Sequence, residues 1–154
     1  IEPYFSISSD ITFDSISRKI GNRPSDFFMI FPEAGTGQND TRQLSKEIYA
    51  GIINEILSTS SLNVLLCGQT DLSQKIKDLV NTELQSRVID TSAKITINEI
   101  ARLTQKTRFA ITLDSFPEHL SCIFCKTITI YYQTAKAFLP LANHPAFVIY
   151  INNK

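Results

Sequence analysis

Two hydrophobic rhythms alternate along the 154 residues. One is a series of short, continuous apolar runs. Phe27-Phe-Met-Ile-Phe31, Leu62-Asn-Val-Leu-Leu-Cys67, Arg87-Val-Ile-Asp90, Phe109-Ala-Ile-Thr-Leu113, Thr127-Ile-Thr-Ile-Tyr-Tyr132 and Phe147-Val-Ile-Tyr-Ile151 are rich in β-branched and aromatic residues and show little polar alternation. Such runs read as strands covered on both faces. The other rhythm has helical spacing. Ser45 is placed to cap a helix reaching about Leu57, with Ile48, Ile52, Ile53 and Ile56 on one face. Asp71 can start a helix carrying Leu72, Ile76, Leu79 and Val80. Thr96 or Asn98 can start another, with Ile97, Ile100, Ala101 and Leu103 inward.

Strands alternating with amphipathic helices predict an α/β fold: a doubly wound, Rossmann-like parallel sheet of about six strands with helices on both faces. Residues 1–26 break the rhythm. They are polar, serine-rich and weakly periodic, with a short helix expected near Ser15–Lys19 and a break at Gly21-Asn-Arg-Pro24. The expectation is an entry segment or interdomain linker over 1–26 and one Rossmann-like α/β domain over 27–154.

Composition adds exclusions. A hydrophobic content of 43% and a charged content of 19% suit a globular domain. Fifteen basic and fifteen acidic residues balance, and no basic stripe interrupts that balance, so nucleic acid is not an expected partner. No apolar run approaches the roughly 18 residues of a membrane-spanning helix, so no span is expected. Cys67, Cys122 and Cys125 all fall in apolar segments and read as buried free thiols, which suits a reducing cytoplasm. Cys122-Ile-Phe-Cys125 has CxxC spacing but no second ligand pair and no redox-type turn before it.

In a doubly wound sheet, ligands sit where strands hand over to helices at their carboxyl ends. Three such loops carry chemistry: 32–44, 68–71 and 113–119. In Pro32-Glu-Ala-Gly-Thr-Gly-Gln-Asn-Asp-Thr-Arg42, Gly35 and Gly37 permit close approach of main chain to an anion, and Thr36 adds a hydroxyl. The competing reading is a flexible turn with an exposed Arg42. No Gly-Lys-Ser/Thr follows, and no GxGxxG is present, which excludes the familiar triphosphate and dinucleotide loops. In Leu113-Asp-Ser-Phe-Pro-Glu-His-Leu120, Ser115 and Glu118 match a capping box, and Pro117 fits a first helical turn. Asp114 and His119 are left for a ligand: a carboxylate can accept from sugar hydroxyls, and an imidazole can donate to phosphate. Alternatively, His119 is a packed first-turn histidine. A serine hydrolase lacks its Gly-x-Ser-x-Gly, and metal chemistry lacks an Asp-x-Asp pair or clustered histidines.

Taken in order, these stretches resemble the C-terminal half of glycosyltransferase family 9, the ADP-heptose:lipopolysaccharide heptosyltransferases. Ile111-Thr-Leu-Asp-Ser-Phe-Pro-Glu-His-Leu-Ser-Cys122 is similar to that family's Asp-Ser/Thr-Gly-x-x-His-Leu-Ala turn. Thr127-Ile-Thr-Ile-Tyr-Tyr-Gln-Thr134 and Pro140 follow as its apolar strand and downstream proline do. Met29-Ile-Phe-Pro-Glu-Ala-Gly35, Thr41-Arg-Gln-Leu-Ser-Lys-Glu47, Val64-Leu-Leu-Cys-Gly68 and Ala93-Lys-Ile-Thr-Ile-Asn-Glu99 fall in the same order. The resemblance covers roughly residues 27–140.

It implies one half of a GT-B fold, in which Asp114, Ser115 and His119 hold the sugar and diphosphate of a nucleotide-sugar donor. Arg42 would stand near the phosphates, Gly35, Thr36 and Gly37 in the loop beneath them, and the backbone at Lys94 and Ile95 beside the base. It further implies a metal-independent inverting transferase without a cofactor, cytoplasmic or peripheral at the inner membrane face. Its glycan or lipid-linked acceptor and its catalytic base would belong to an N-terminal domain that these residues do not include. No catalytic residue is then expected within this chain. The sequence departs from the family pattern at Phe116 and Tyr132, where glycine is usual, at Leu44-Ser45, which replaces Trp-Pro, and at Leu72, where some members have an acid. Two other readings stay open: a non-catalytic module of the same fold, and a fragment of a GT-B sugar-nucleotide epimerase or hydrolase.

Overall fold

The computed structural model describes residues 7–34, 43–132 and 146–151. The elements are α1 (Phe13–Ile20), β1 (Phe27–Ile30), α2 (Lys46–Ser58), β2 (Asn63–Leu66), α3 (Leu72–Lys77), a 3-10 helix (Thr82–Arg87), β3 (Val88–Asp90), α4 (Ile97–Thr104), β4 (Ala110–Leu113), α5 (Phe116–Phe124), β5 (Thr127–Tyr132) and β6 (Ala146–Ile151). The six strands form one sheet in the order β3-β2-β1-β4-β5-β6, and every neighbouring pair is parallel. The doubly wound α/β expectation is therefore met, including the number of strands.

The alternation of side chains along each strand divides the interior into two layers. Phe28, Ile30, Val64, Leu66, Val88, Ile111 and Leu113 face one side, where Tyr49, Ile53 and Leu57 of α2 and Ile76 of α3 cover them. Phe27, Met29, Leu65, Ile89 and Ala110 face the other, against Ile16 of α1 and Leu103 of α4. Stacked rings close both layers: Phe28 on Phe109 at 4.9 Å, and Phe13 on Phe27 at 6.2 Å. The segment read as a lead-in or linker thus contributes a fully buried isoleucine to the core.

Local signals explain most boundaries. Thr12 and Ser15 form a capping box on α1, and Gly21 ends it at φ 69°, a left-handed conformation that glycine adopts without strain. Ser45 accepts from the Ile48 amide to start α2, and Thr96 with Glu99 makes a capping box on α4. Two helix faces differ from expectation. The buried stripe of α2 is Tyr49, Ala50, Ile53 and Leu57, while Ile48 is 41% exposed. Tyr49 takes the inward position because its hydroxyl finds a buried acceptor. Ile97, expected inward, is 53% exposed because it opens α4 before the helix meets the sheet. Leu79 is also exposed, since α3 stops at Lys77.

Candidate ligand site at the switch point of the sheet

The chain winds outward from β1 in one direction to β2 and β3, and from β4 in the other to β5 and β6. The loops leaving β1 and β4 therefore diverge to opposite faces, opening a crevice at the carboxyl ends of those two strands. The Phe31 amide donates to Ile111 O at 2.9 Å, so the two loops depart from the sheet beside one another.

The first wall is the loop after β1. Tyr49 donates its hydroxyl to Pro32 O at 3.2 Å, fixing the start of that loop from beneath. Burial raises the Tyr49 phenol above its ordinary value, and a backbone hydrogen bond at Leu44 offsets this only in part. Glu33 then turns towards the loop after β2. Its carboxylate accepts from the amides of Gln69 and Thr70, each at 2.9 Å, and from the Thr70 hydroxyl at 2.7 Å. Gly68 permits this approach, because a Cβ there would lie 2.5 Å from Glu33 Oε1. Gly35, Thr36, Gly37 and Arg42, the predicted phosphate loop, lie outside the described residues.

The loop after β3 is stitched to the same wall. Thr91 donates its hydroxyl to Leu66 O at 2.9 Å, and the Ala93 amide donates to Gly68 O at 2.9 Å. Ala93 adopts φ 55°, a left-handed conformation that costs a non-glycine residue about 1 kcal/mol. Lys94 is exposed, and its ammonium donates to Asp90 O at 2.8 Å. The Ile95 side chain enters the core. β3 lies two strands from β1, so Lys94 and Ile95 are on the far side of the β2 loop from Asp114.

The second wall is the start of α5, which brings Asp114, Ser115 and His119 together. Asp114 and Ser115 are half-buried, His119 is exposed, and Phe116 is 56% exposed beside them. The capping box expected here does not form. Ser115 donates its hydroxyl back to Leu113 O at 3.3 Å and makes no side-chain cap, while the Glu118 amide bonds to Ser115 O instead. Glu118 is 0% exposed and its Oε1 accepts from the Thr129 hydroxyl at 2.9 Å. A buried acceptor beneath the helix has won the carboxyl that the sequence pattern assigned to the helix end. The amino end of α5 still carries the positive end of the helix dipole, and Pro117 occupies its first turn as expected.

Glu33, Gly68, Tyr49 and Thr129 are the site-supporting residues that sequence reasoning missed. A glycine directly after a buried strand was the available signal for Gly68 and its close neighbour. The cysteines are all free and buried, as expected. Burial pushes the Cys67 thiol up to about 12 and the Cys125 thiol up to about 11. Among the described residues, no group of three histidines, cysteines or acids is gathered as a metal site. A separate cleft of about 530 Å³, lined by Thr12, Phe13, Arg23 and Lys106 among others, lies by the start of β1, at the opposite end of the sheet from the crevice. No described helix is long and apolar enough to cross a membrane.

A doubly wound parallel sheet in this strand order defines a Rossmann-like α/β domain. Comparison with known proteins narrows this. The family model of glycosyltransferase family 9 (heptosyltransferase) matches residues 4–154, and the chain belongs to that family. Among solved structures, E. coli ADP-heptose lps heptosyltransferase II superposes with a TM-score of 0.80 at 18% identity, over 97% of this chain and 45% of that one. The family 9 glycosyl transferase of Veillonella parvula gives 0.73 at 17% identity, over 96% and 42%. E. coli heptosyltransferase WaaC with ADP gives 0.61 at 18% identity, over 81% and 37%. The chain thus spans less than half the length of these proteins and shares their fold. A search of curated proteins by sequence finds no match.

Proposed function

We propose that this chain is the donor-binding half of a sugar transferase. It would take a nucleotide-diphosphate sugar, heptose-like by family, for transfer to a lipopolysaccharide or other glycan acceptor. The observation that carries the reading is the placement of Asp114, Ser115 and His119 at the β1/β4 switch point of a family 9 chain. Asp114 accepts from sugar hydroxyls. His119, the first-turn amides of α5, Arg42 and the Gly35-Thr36-Gly37 loop meet the charge of the diphosphate. The main chain at Lys94 and Ile95 borders the base. Donors aimed at a leaving diphosphate stabilise the charge that develops on it in the transition state. The acceptor and the base that deprotonates it lie on another domain. The setting is the cytoplasm, at the inner face of the membrane where the acceptor is anchored.

Calorimetry with ADP, GDP and UDP tests this. The 154-residue chain binds one nucleoside diphosphate weakly, and His119→Ala lowers that affinity about tenfold or more, the loss of one charged hydrogen bond, while Asp114→Ala does so for the corresponding nucleotide sugar. No sugar is transferred by this chain alone. Absence of binding, or binding indifferent to both variants, would favour a non-catalytic module. Phe116, exposed at the mouth of the crevice where the family has glycine, is the feature on which that second reading rests.

A further inference from the structure

A carboxyl group in the first turn of a helix ordinarily stays at the surface, where the terminal amides and water solvate it. Glu118 does the opposite. It is fully buried between α5 and the sheet, where a leucine or alanine would avoid the cost of withdrawing a polar group from water. Its Oε1 accepts from Thr129 of β5 at 2.9 Å, and the Thr129 hydroxyl lies 3.3 Å from that of Thr112 in β4. Thr112 and Thr129 are register partners in the sheet. Since the single hydroxyl proton of Thr129 goes to Glu118, Thr112 donates to Thr129. The result is a directional chain linking one helix to two strands at the same level.

We infer that Glu118 is a positioning residue: through Thr129 it sets the rotation of the first turn of α5, and so the direction in which Ser115 and His119 face the crevice. The inference rests on the proposed donor-binding reading of that turn. Successive residues of a helix are about 100° apart. With Glu118 aimed straight at the sheet, His119 is turned out to solvent, as observed. Apolar contacts beneath Leu120 and Cys122 hold the helix down, but such contacts are non-directional and admit small rotations. Ser115 lends no side-chain cap to the turn, and the Glu118–Thr129 bond is a directional tether where the apolar contacts are not.

Two measurements on the 154-residue chain test this: the Kd for ADP, and amide hydrogen exchange across 115–120 against β2. Glu118→Ala and Thr129→Val should each weaken ADP about five- to tenfold and speed exchange at 115–120 about tenfold, with β2 protection unchanged. Thr129→Ser keeps the hydroxyl and should behave as the parent. The double variant should be no weaker than Glu118→Ala alone, since both break one link. Glu118→Gln, which keeps an acceptor oxygen, serves if the alanine variant does not fold and should retain at least half of the protection at 115–120. Exchange that rises equally in β2, or variants indistinguishable from the parent in both measurements, would overturn the positioning role. If the parent binds no ADP, or His119→Ala leaves its binding unchanged, the donor reading fails by itself. The exchange pattern at 115–120 then still decides whether Glu118 sets the turn.

Discussion

Removing the Arg87 guanidinium should cost more stability than its half-buried position suggests. Helix α2 ends at Ser58 without the left-handed glycine that commonly closes a helix; its cap residue Thr59 has φ −105° and ψ 1°. Hydroxyls of Ser58, Thr59 and Ser60 take the Glu55 and Ile56 carbonyls, and Arg87, at the end of the 3-10 helix, takes the Leu57 carbonyl and two beyond it. Its Nη1 donates to Leu57 O at 2.8 Å, its Nη2 to Ser60 O at 2.7 Å and to Leu62 O, and its Nε to Leu62 O at 2.9 Å. One planar fork thus satisfies three carbonyls spanning the connection from α2 to β2. A hydrogen bond from a charged donor contributes about 1.5–3 kcal/mol. Water can reach part of this site, so the lower figure applies, and one carbonyl will rehydrate freely. Arg87→Met, which keeps the stem, should then lose about 3 kcal/mol. With an m-value of about 2 kcal/mol/M, the urea midpoint read by circular dichroism drops by about 1.5 M. Arg87→Lys should recover less than half, because a single ammonium cannot span the fork. A loss below about 1 kcal/mol for the methionine variant, or full recovery by lysine, would refute this account of how α2 is closed.

Other consequences follow from the same kind of contact. Gly68→Ala should push Glu33 off the Gln69 and Thr70 amides and cost about 1–2 kcal/mol; in a Glu33→Ala background the same change should cost much less, by urea titration of all three variants. Lys19 and Glu99 join α1 to α4 at 2.8 Å, with side chains 43% and 13% exposed. Burial raises the Glu99 carboxyl, but hydrogen bonds from Lys19 and Thr96 outweigh it, and the net result lies below the ordinary value. The stabilisation is therefore present at neutral pH and lost as pH falls through the lowered value. Glu99→Gln should cost about 0.5–1 kcal/mol at pH 7, discounted for the exposed lysine, and progressively less as pH falls below the ordinary carboxylate range; a difference that stays constant into acid would contradict it. The three buried thiols should resist a disulfide reagent at pH 8 in the native chain and react together in denaturant. Rapid reaction of any of them in the native state would refute their burial.

The fold was legible because the strands announce themselves. Four-residue runs such as Phe27–Ile30 and Ala110–Leu113 are buried at every position, and only a two-sided sheet accepts that pattern. The resemblance to family 9 rested on the order of several loops, and those loops converge on the carboxyl edge of one sheet. What stayed hidden depended on the third dimension. The serine and glutamate three residues apart at 115 and 118 satisfy the capping-box pattern, but no pattern along one chain shows a threonine hydroxyl on the strand beneath. The inward stripe of α2 turned on one position, Ile48 or Tyr49, and a carbonyl of Pro32 decided it. The hydroxyl of Tyr49 is satisfied inside the fold by that carbonyl, a partner 17 residues away along the chain.

The contacts that missed detection also say how the crevice is built. On one side, Glu33 ties the β1 loop to the β2 loop, and Ala93 ties the β3 loop to Gly68, so three loops behave as one wall. On the other, the turn Asp114–His119 is held from below by Glu118 and the paired threonines. The walls are joined through β1 and β4, whose register pairs only Met29 with Ala110 and Ile30 with Ile111. β4 and β5, by contrast, pair over four residues. The described part of each wall is thus held by its own hydrogen bonds. Variants that loosen one wall, such as Gly68→Ala or Thr129→Val, should therefore weaken binding through one side only, and their effects on ADP affinity should add.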